Sequence, residues 1–234
     1  DGNVIRLSLK EVVRKRATTV LNGINIDDLS RENGVGLRVR HELDIPINAY
    51  VLGNMARITP WKGQELLLKV FIEYAELKPN TYLLLVGSPL FDNDKYYQHL
   101  MRLIIKHDLR NRVIMPGYRN DLLEIFSAID LFLYPSLEKD TSPLSLLSAI
   151  SFGLPVVVSN IKSLKEITDL CPVVDVFDPG DRDNLFSLME KYEDKGIRDV
   201  NGRKNREVGK MYFDIAIHSE KMMNIFTCIV FDFN

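Results

Sequence analysis

Short apolar runs alternate along this chain with longer stretches of helical periodicity. TTVL (18–21), YVLGNMA (50–56), YLLLVG (82–87), RVIMPG (112–117), LFLYPS (131–136), PVVVSN (155–160) and VVDVF (173–177) are apolar or β-branched and bounded by turn-forming residues. That pattern predicts strands. Between them, 62–77 sets Leu66, Val70, Phe71 and Tyr74 on one helical face. The segments 94–109, 119–129, 142–153 and 163–168 predict further helices. From Asp181 onward the pattern is helical, in two or three pieces.

Strands that read as near-continuous apolar runs are buried on both faces, which is the mark of a parallel sheet covered by helices. The expectation is an α/β protein with a doubly wound, Rossmann-like parallel sheet followed by C-terminal helices. Ligands of such sheets bind beyond the carboxyl ends of the strands. The loops to inspect are therefore 53–63, 87–94, 117–120, 135–143 and 159–163. Residues 1–17 read as the end of a preceding region or a linker, 18–210 as the sheet domain and 211–234 as a helical tail. A start of this kind suggests a piece of a longer protein.

Composition narrows the classes. The chain has 234 residues, 46% hydrophobic and 26% charged, with a net charge of −2. A core of normal size can form, and that balance argues against nucleic acid as a partner. Cys171 and Cys228 are too far apart for a zinc motif or a disulfide framework and read as isolated buried thiols. His41, His99, His107 and His218 do not cluster. Asp92 and Asp94 flank Asn93 on a turn, which gives no metal site. The apolar tail MMNIFTCIVFDF is too short to span a bilayer, so it is expected to pack as a helix on protein, with part of 215–231 exposing apolar surface or burying it in a crystal or dimer contact.

Two of the loops carry chemistry. GNMARITPWKG puts Arg57 and Lys62 between a strand and a helix. An Arg fork and a mobile Lys charge suit a diphosphate, although solvated loop cations would read the same way. SLEKDTSPLS offers Pro143 as the first helical residue and Ser142 as its N-cap. The N–H groups of Leu144 and Ser145 then point out of a helix start, where the dipole favours an anion. Capping accounts for Ser142 and Pro143. It does not account for Asp140, an acceptor placed among them. Trp61 reads as loop packing.

VLNGIN, GNMARITPWKG, YLLLVGS, VIMPGYRND, IFSAIDLFLYPSLEKDTSPLSLLSAISFGLPVVVSN and FDPGD together resemble, in order and spacing, the retaining glycosyltransferases of family 4, which have the GT-B fold. The resemblance covers about residues 18–190 and matches the C-terminal, donor-binding domain of that family. It implies catalytic roles for Arg57, Lys62 and Asp140: the two cations on the donor diphosphate, and Asp140 in place of the first Glu of the Glu-x7-Glu motif, near the donor sugar. It implies donor contacts at Gly53, Gly117 and Tyr118, and at Ser142, Leu144 and Ser145 for the distal phosphate. Ser148 falls on the second Glu, which in the family takes both ribose hydroxyls. A Ser hydroxyl is short and neutral, so the ribose is held otherwise or the donor binds weakly. Glu138 lies on the wrong side of the loop to substitute.

The resemblance implies no cofactor and no metal, the nucleoside-diphosphate sugar being the donor substrate. It implies a cytoplasmic protein whose N-terminal, acceptor-binding domain is missing from this chain, and it allows peripheral membrane association of the longer protein. The expected function is sugar transfer with retention, with this chain as a donor-binding half that is inactive alone. The alternative is a non-catalytic nucleotide-sugar-binding or assembly module that has lost the second carboxylate.

Overall fold

The computed structural model describes residues 19–27, 29, 34–89, 94–138, 140 and 142–232, with side chains described to residue 227. Six strands, β1 (Tyr50–Met55), β2 (Thr81–Val86), β3 (Val113–Gly117), β4 (Leu131–Tyr134), β5 (Val156–Ser159) and β6 (Asp175–Phe177), form one sheet. Its order is β3-β2-β1-β4-β5-β6, and every pairing is parallel. The helices are α1 (Val35–Glu42), α2 (Gln64–Leu77), α3 (Asp94–Lys106), α4 (Leu122–Ala128), α5 (Leu144–Phe152), α6 (Lys165–Leu170), α7 (Arg182–Lys191), α8 (Lys195–Val208) and α9 (Ile215–Asp232).

The continuous apolar strands are explained by two cores, one on each face of the sheet. Val51, Leu84, Phe132, Tyr134, Val156 and Val158 point to one face, against α1, α4 and α5. Leu52, Leu83, Leu85, Leu131, Leu133 and Val157 point to the other, against α2, α3 and α7. A parallel sheet with helices on both sides needs this double burial. Pro116 is accommodated because β3 is an edge strand and its register with β2 shifts between Leu84 and Val86. The order of strands reverses between β1 and β4. At that switch point the crevice opens at the carboxyl ends.

Three expectations are corrected. TTVL is not a strand: the described residues 19–23 are irregular, and Thr18 lies outside the described residues. Three residues beyond it, Ile24 makes a parallel bridge to Asp214, beside the short π-helix Gly209–Phe213. Helix α1 was not foreseen. It buries Val35, Val39 and Arg40, and Arg40 is held by Asp130 and by the carbonyls of Ala128, Ile47 and Ala49. Pro143 is the N-cap of α5, with φ −70° and ψ 116°, and Leu144 is its first residue. Proline disfavours the α region for the residue before it, and Ser142 takes φ 47° instead. Its hydroxyl therefore turns away from the helix and accepts from the Asn22 N–H at 2.9 Å, while its carbonyl accepts from Asn22 Nδ2 at 2.9 Å.

Cys171 is buried, and desolvation pushes its thiol up to about 12. The Cys228 side chain, Asp92, Asn93 and Thr141 lie outside the described residues. Met223 and Phe226 are exposed on α9. Among the described residues no helix is long and apolar enough to cross a membrane.

Candidate functional site

Three strand ends and one helix start meet around a cavity of about 540 Å³. Met55, Ala56 and Arg57 leave β1, Val86, Gly87 and Ser88 leave β2, and Tyr118, Arg119, Asn120 and Leu122 follow β3. Leu144, Ser145 and Ser148 form the opposite wall from α5. The volume is that of a small-molecule site, and the mix of an apolar lining with a few polar groups is typical of one.

Two arginines border this cavity, and they are held differently. Arg119 forks onto Asp121 and Glu42. Its guanidinium holds both carboxyls below the usual range. Arg119 thereby ties the β3–α4 loop to the end of α1, and its Nε, Nη1 and Nη2 all donate to these two carboxylates. Arg57 is exposed, with its guanidinium 5.5 Å from the centre of the Trp61 ring. Its carbonyl is fixed by Gln64 Nε2 at 2.8 Å.

Lys62 also lies over this indole, 4.4 Å from its centre. Only 7% of Lys62 is exposed. Its ammonium donates to the Tyr134 hydroxyl at 2.7 Å and pairs with Asp140 Oδ2. Burial lowers the Lys62 pKa, and Asp140 opposes that shift. Asp140 Oδ2 also accepts from the Tyr134 hydroxyl and from Ser136 Oγ at 2.8 Å. The Asp140 N–H donates to Ser163 Oγ at 2.9 Å. Burial, then the Asp140 charge, raises the Tyr134 hydroxyl well above its ordinary range. Asp140 thus ties three connections together, β1–α2 and β4–α5 through its carboxylate and β5–α6 through its backbone N–H.

The model of glycosyl transferases group 1 matches residues 38–205. The chain belongs to this family. A curated relative is the UDP-Gal:alpha-D-GlcNAc-diphosphoundecaprenol alpha-1,3-galactosyltransferase of Escherichia coli, 24% identical over 222 residues, covering 92% of this chain and 55% of the relative. The crystal structure of Anabaena HepE with UDP-glucose superposes with a TM-score of 0.83 at 23% identity, over 90% of this chain and 57% of that one. The C-terminal domain of the group 1 protein LpcC of Francisella tularensis superposes with a TM-score of 0.72 at 16% identity, over 82% of this chain and 100% of that domain. This group 1 chain spans about half the length of the curated relatives it matches.

Within this group 1 domain, the structure gathers Arg57, Tyr118, Leu144, Ser145 and Ser148 around one cavity. Lys62 and Asp140, expected at the same place, are not among its lining residues and pair with each other. Gly53, Gly117 and Ser142 are not among the lining residues. Gly53 lies inside β1, where a Cβ would come within 2.3 Å of the Ile129 side chain, so its small size serves packing. The Gly117 carbonyl accepts the Gly87 N–H at 2.9 Å and closes the β2 and β3 ends together. Ser142 is engaged by Asn22.

Tyr134, Ser136, Ser163 and Asn22 were not foreseen as parts of this site. Tyr134 carried a usable signal, because a Tyr at the end of a buried strand must find a partner for its hydroxyl. The other three are small polar residues in loops and carried none. Among the described residues, no group of three His, Cys, Asp or Glu could hold a metal ion.

Proposed function

We propose that this chain binds a nucleoside-diphosphate sugar and is the donor half of a family 4 glycosyltransferase that transfers a hexose with retention. One observation carries the reading: Arg57, the start of α5 and Ser148 converge on a single cavity beyond the carboxyl ends of a parallel sheet. Membership of the group 1 family and the fold shared with HepE, crystallised with UDP-glucose, support the same ligand class. Arg57 and the free N–H groups of Leu144 and Ser145 would take the diphosphate oxygens. Lys62 would join them through the N–H that Tyr134 and Asp140 leave unused. As the bond to the leaving diphosphate breaks, these groups stabilise the growing charge electrostatically, with no dedicated acid or base. Three donors converge on Asp140 Oδ2, which leaves Oδ1 for a hydroxyl of the sugar. The acceptor would be bound by the remainder of a longer protein working in the cytoplasm.

The closing experiment is calorimetry with UDP, GDP and ADP. A ligand at 100 times its Kd also adds about 2.7 kcal/mol to stability, so a thermal melt gives a second reading. Arg57→Ala should weaken the preferred diphosphate by at least tenfold, since a hydrogen bond to a charged group contributes roughly 1.5–3 kcal/mol. No binding of any of the three at millimolar concentration would favour the second reading, a non-catalytic relative. That reading draws on the short hydroxyl of Ser148 and on the prior engagement of Lys62 by Asp140.

Ser148→Glu tests the same site from the ribose side. Ser148 is nearly buried and lines the cavity, so a carboxylate there would reach the ligand from an unchanged helix. Binding of the preferred diphosphate should tighten about tenfold, or about 1.4 kcal/mol. A folded variant with unchanged affinity would show that position 148 does not meet the ribose.

A further inference from the structure

We propose that Tyr134 is a positioning residue of the donor site: its hydroxyl fixes the Lys62 ammonium against Asp140 and Trp61, so that Lys62 meets an incoming diphosphate from one place. The inference rests on the donor-binding reading above.

A lysine ammonium is a point charge on a flexible four-carbon stem. Its location depends on what surrounds it. Here the Trp61 ring lies 4.4 Å away on one side and the Tyr134 ring 5.1 Å away on another. The Tyr134 oxygen accepts one N–H at 2.7 Å and Asp140 accepts a second. An ammonium has three N–H groups, so one remains for a ligand oxygen without dismantling the cluster.

The direction of the proton chain is set by chemistry. Lys62 can only donate, the Asp140 carboxylate can only accept, and a phenol does both. Tyr134 gives its proton to Asp140 and turns its lone pairs to Lys62. Of the two hydroxyls that donate to Asp140 Oδ2, only that of Tyr134 also accepts from the Lys62 ammonium. Tyr134 is also anchored differently from its partners. It sits on β4, paired with Val158 of β5 and stacked on Phe132 at 6.4 Å, and it is 1% exposed. Asp140 sits in a loop. The rigid strand thus supplies the reference point for a mobile cation supplied by another loop, which is what a precise phosphate contact requires.

The test is a double-mutant cycle with Tyr134→Phe and Lys62→Met, read as calorimetric affinity for whichever of UDP, GDP and ADP binds tightest. Tyr134→Phe should weaken binding five- to tenfold when Lys62 is present and less than twofold in the Lys62→Met background. An equal loss in both backgrounds, or no loss in either, would overturn the proposal, since a merely structural hydroxyl does not act through Lys62. A ligand-free reading accompanies it: acylation of Lys62 in the unliganded chain, followed by mass spectrometry, should quicken several-fold in Tyr134→Phe, and an unchanged rate would count against it. If Tyr134→Phe does not fold, 3-fluorotyrosine at position 134 keeps the hydroxyl as a weaker acceptor and should give an intermediate loss, with full wild-type affinity and acylation rate overturning the idea. If the unmodified chain takes none of the three diphosphates, the donor reading fails, while the acylation rates still judge Tyr134.

Discussion

Asp140→Ala should destabilise the chain by about 3–5 kcal/mol, the usual cost of removing one partner from a buried ion pair. The loss comes from what is left behind. Lys62 stays buried without its counter-ion, and the hydroxyls of Tyr134 and Ser136 lose the oxygen they share. Replacing both ends, Lys62→Met with Asp140→Leu, should recover most of the deficit, because an apolar pair has no desolvation cost to meet. Urea denaturation measures both, and a deficit below about 1 kcal/mol would show that the pair is solvated. The deficit should also shrink at alkaline pH. Burial already depresses the Lys62 pKa, and Asp140 is what holds it up. Without Asp140 the folded-state value falls further below the unfolded one. Between those two values the unfolded chain binds more protons, so stability rises with pH. Comparing wild type and Asp140→Ala at pH 7 and near pH 10 tests the sign directly.

Gly63→Ala should cost about 3 kcal/mol or more. Gly63 has φ 74°, a conformation that costs other L-residues roughly 1–2 kcal/mol. The larger obstacle is space, since its Cβ would stand 1.9 Å from the Pro135 carbonyl oxygen and 2.8 Å from the carbonyl carbon. Both obstacles are backbone, so either α2 or the loop after β4 must move. That loop carries Ser136 and Asp140, and its Leu137 N–H is bound to the Trp61 carbonyl at 2.8 Å. A shift there separates Lys62 from its partners and should weaken nucleotide binding as well. Gly180→Ala is the matched comparison. It has φ 90° but no atom within 4 Å of its added Cβ, so only the conformational part, about 1–2 kcal/mol, applies. Equal losses at the two positions in a denaturation experiment would show that the clash at Pro135 is relieved without cost.

The sheet was legible in the sequence because its code is local and redundant. Each of 50–56, 82–87, 112–117, 131–136, 155–160 and 173–177 overlaps a strand of the sheet, since burial in a sheet leaves an apolar run. TTVL has the same composition and failed. Nothing local distinguishes a strand that finds a neighbour in a sheet from a segment whose Leu21 carbonyl lies 2.8 Å from His218 Nδ1. Helix α1 failed in the opposite direction: its buried side includes Arg40, whose charge is satisfied by Asp130, ninety residues away.

The candidate site divides along the same line. The sequence by itself determined an α/β parallel sheet, the loops at its carboxyl ends, and the chemical types of the side chains those loops carry, because strand period, turn residues and side-chain chemistry are properties of short segments. Only the tertiary structure decided which of those residues share a space. Arg57 and Lys62 are five residues apart and both lie over the Trp61 ring, yet one stands exposed at a cavity and the other is buried against Asp140. Ser142 looked like a helix cap and became the anchor of Asn22, 120 residues away. A side chain's role in a site depends on its partners' distance and on water being excluded between them, and both are set by contacts between remote segments that no local pattern records.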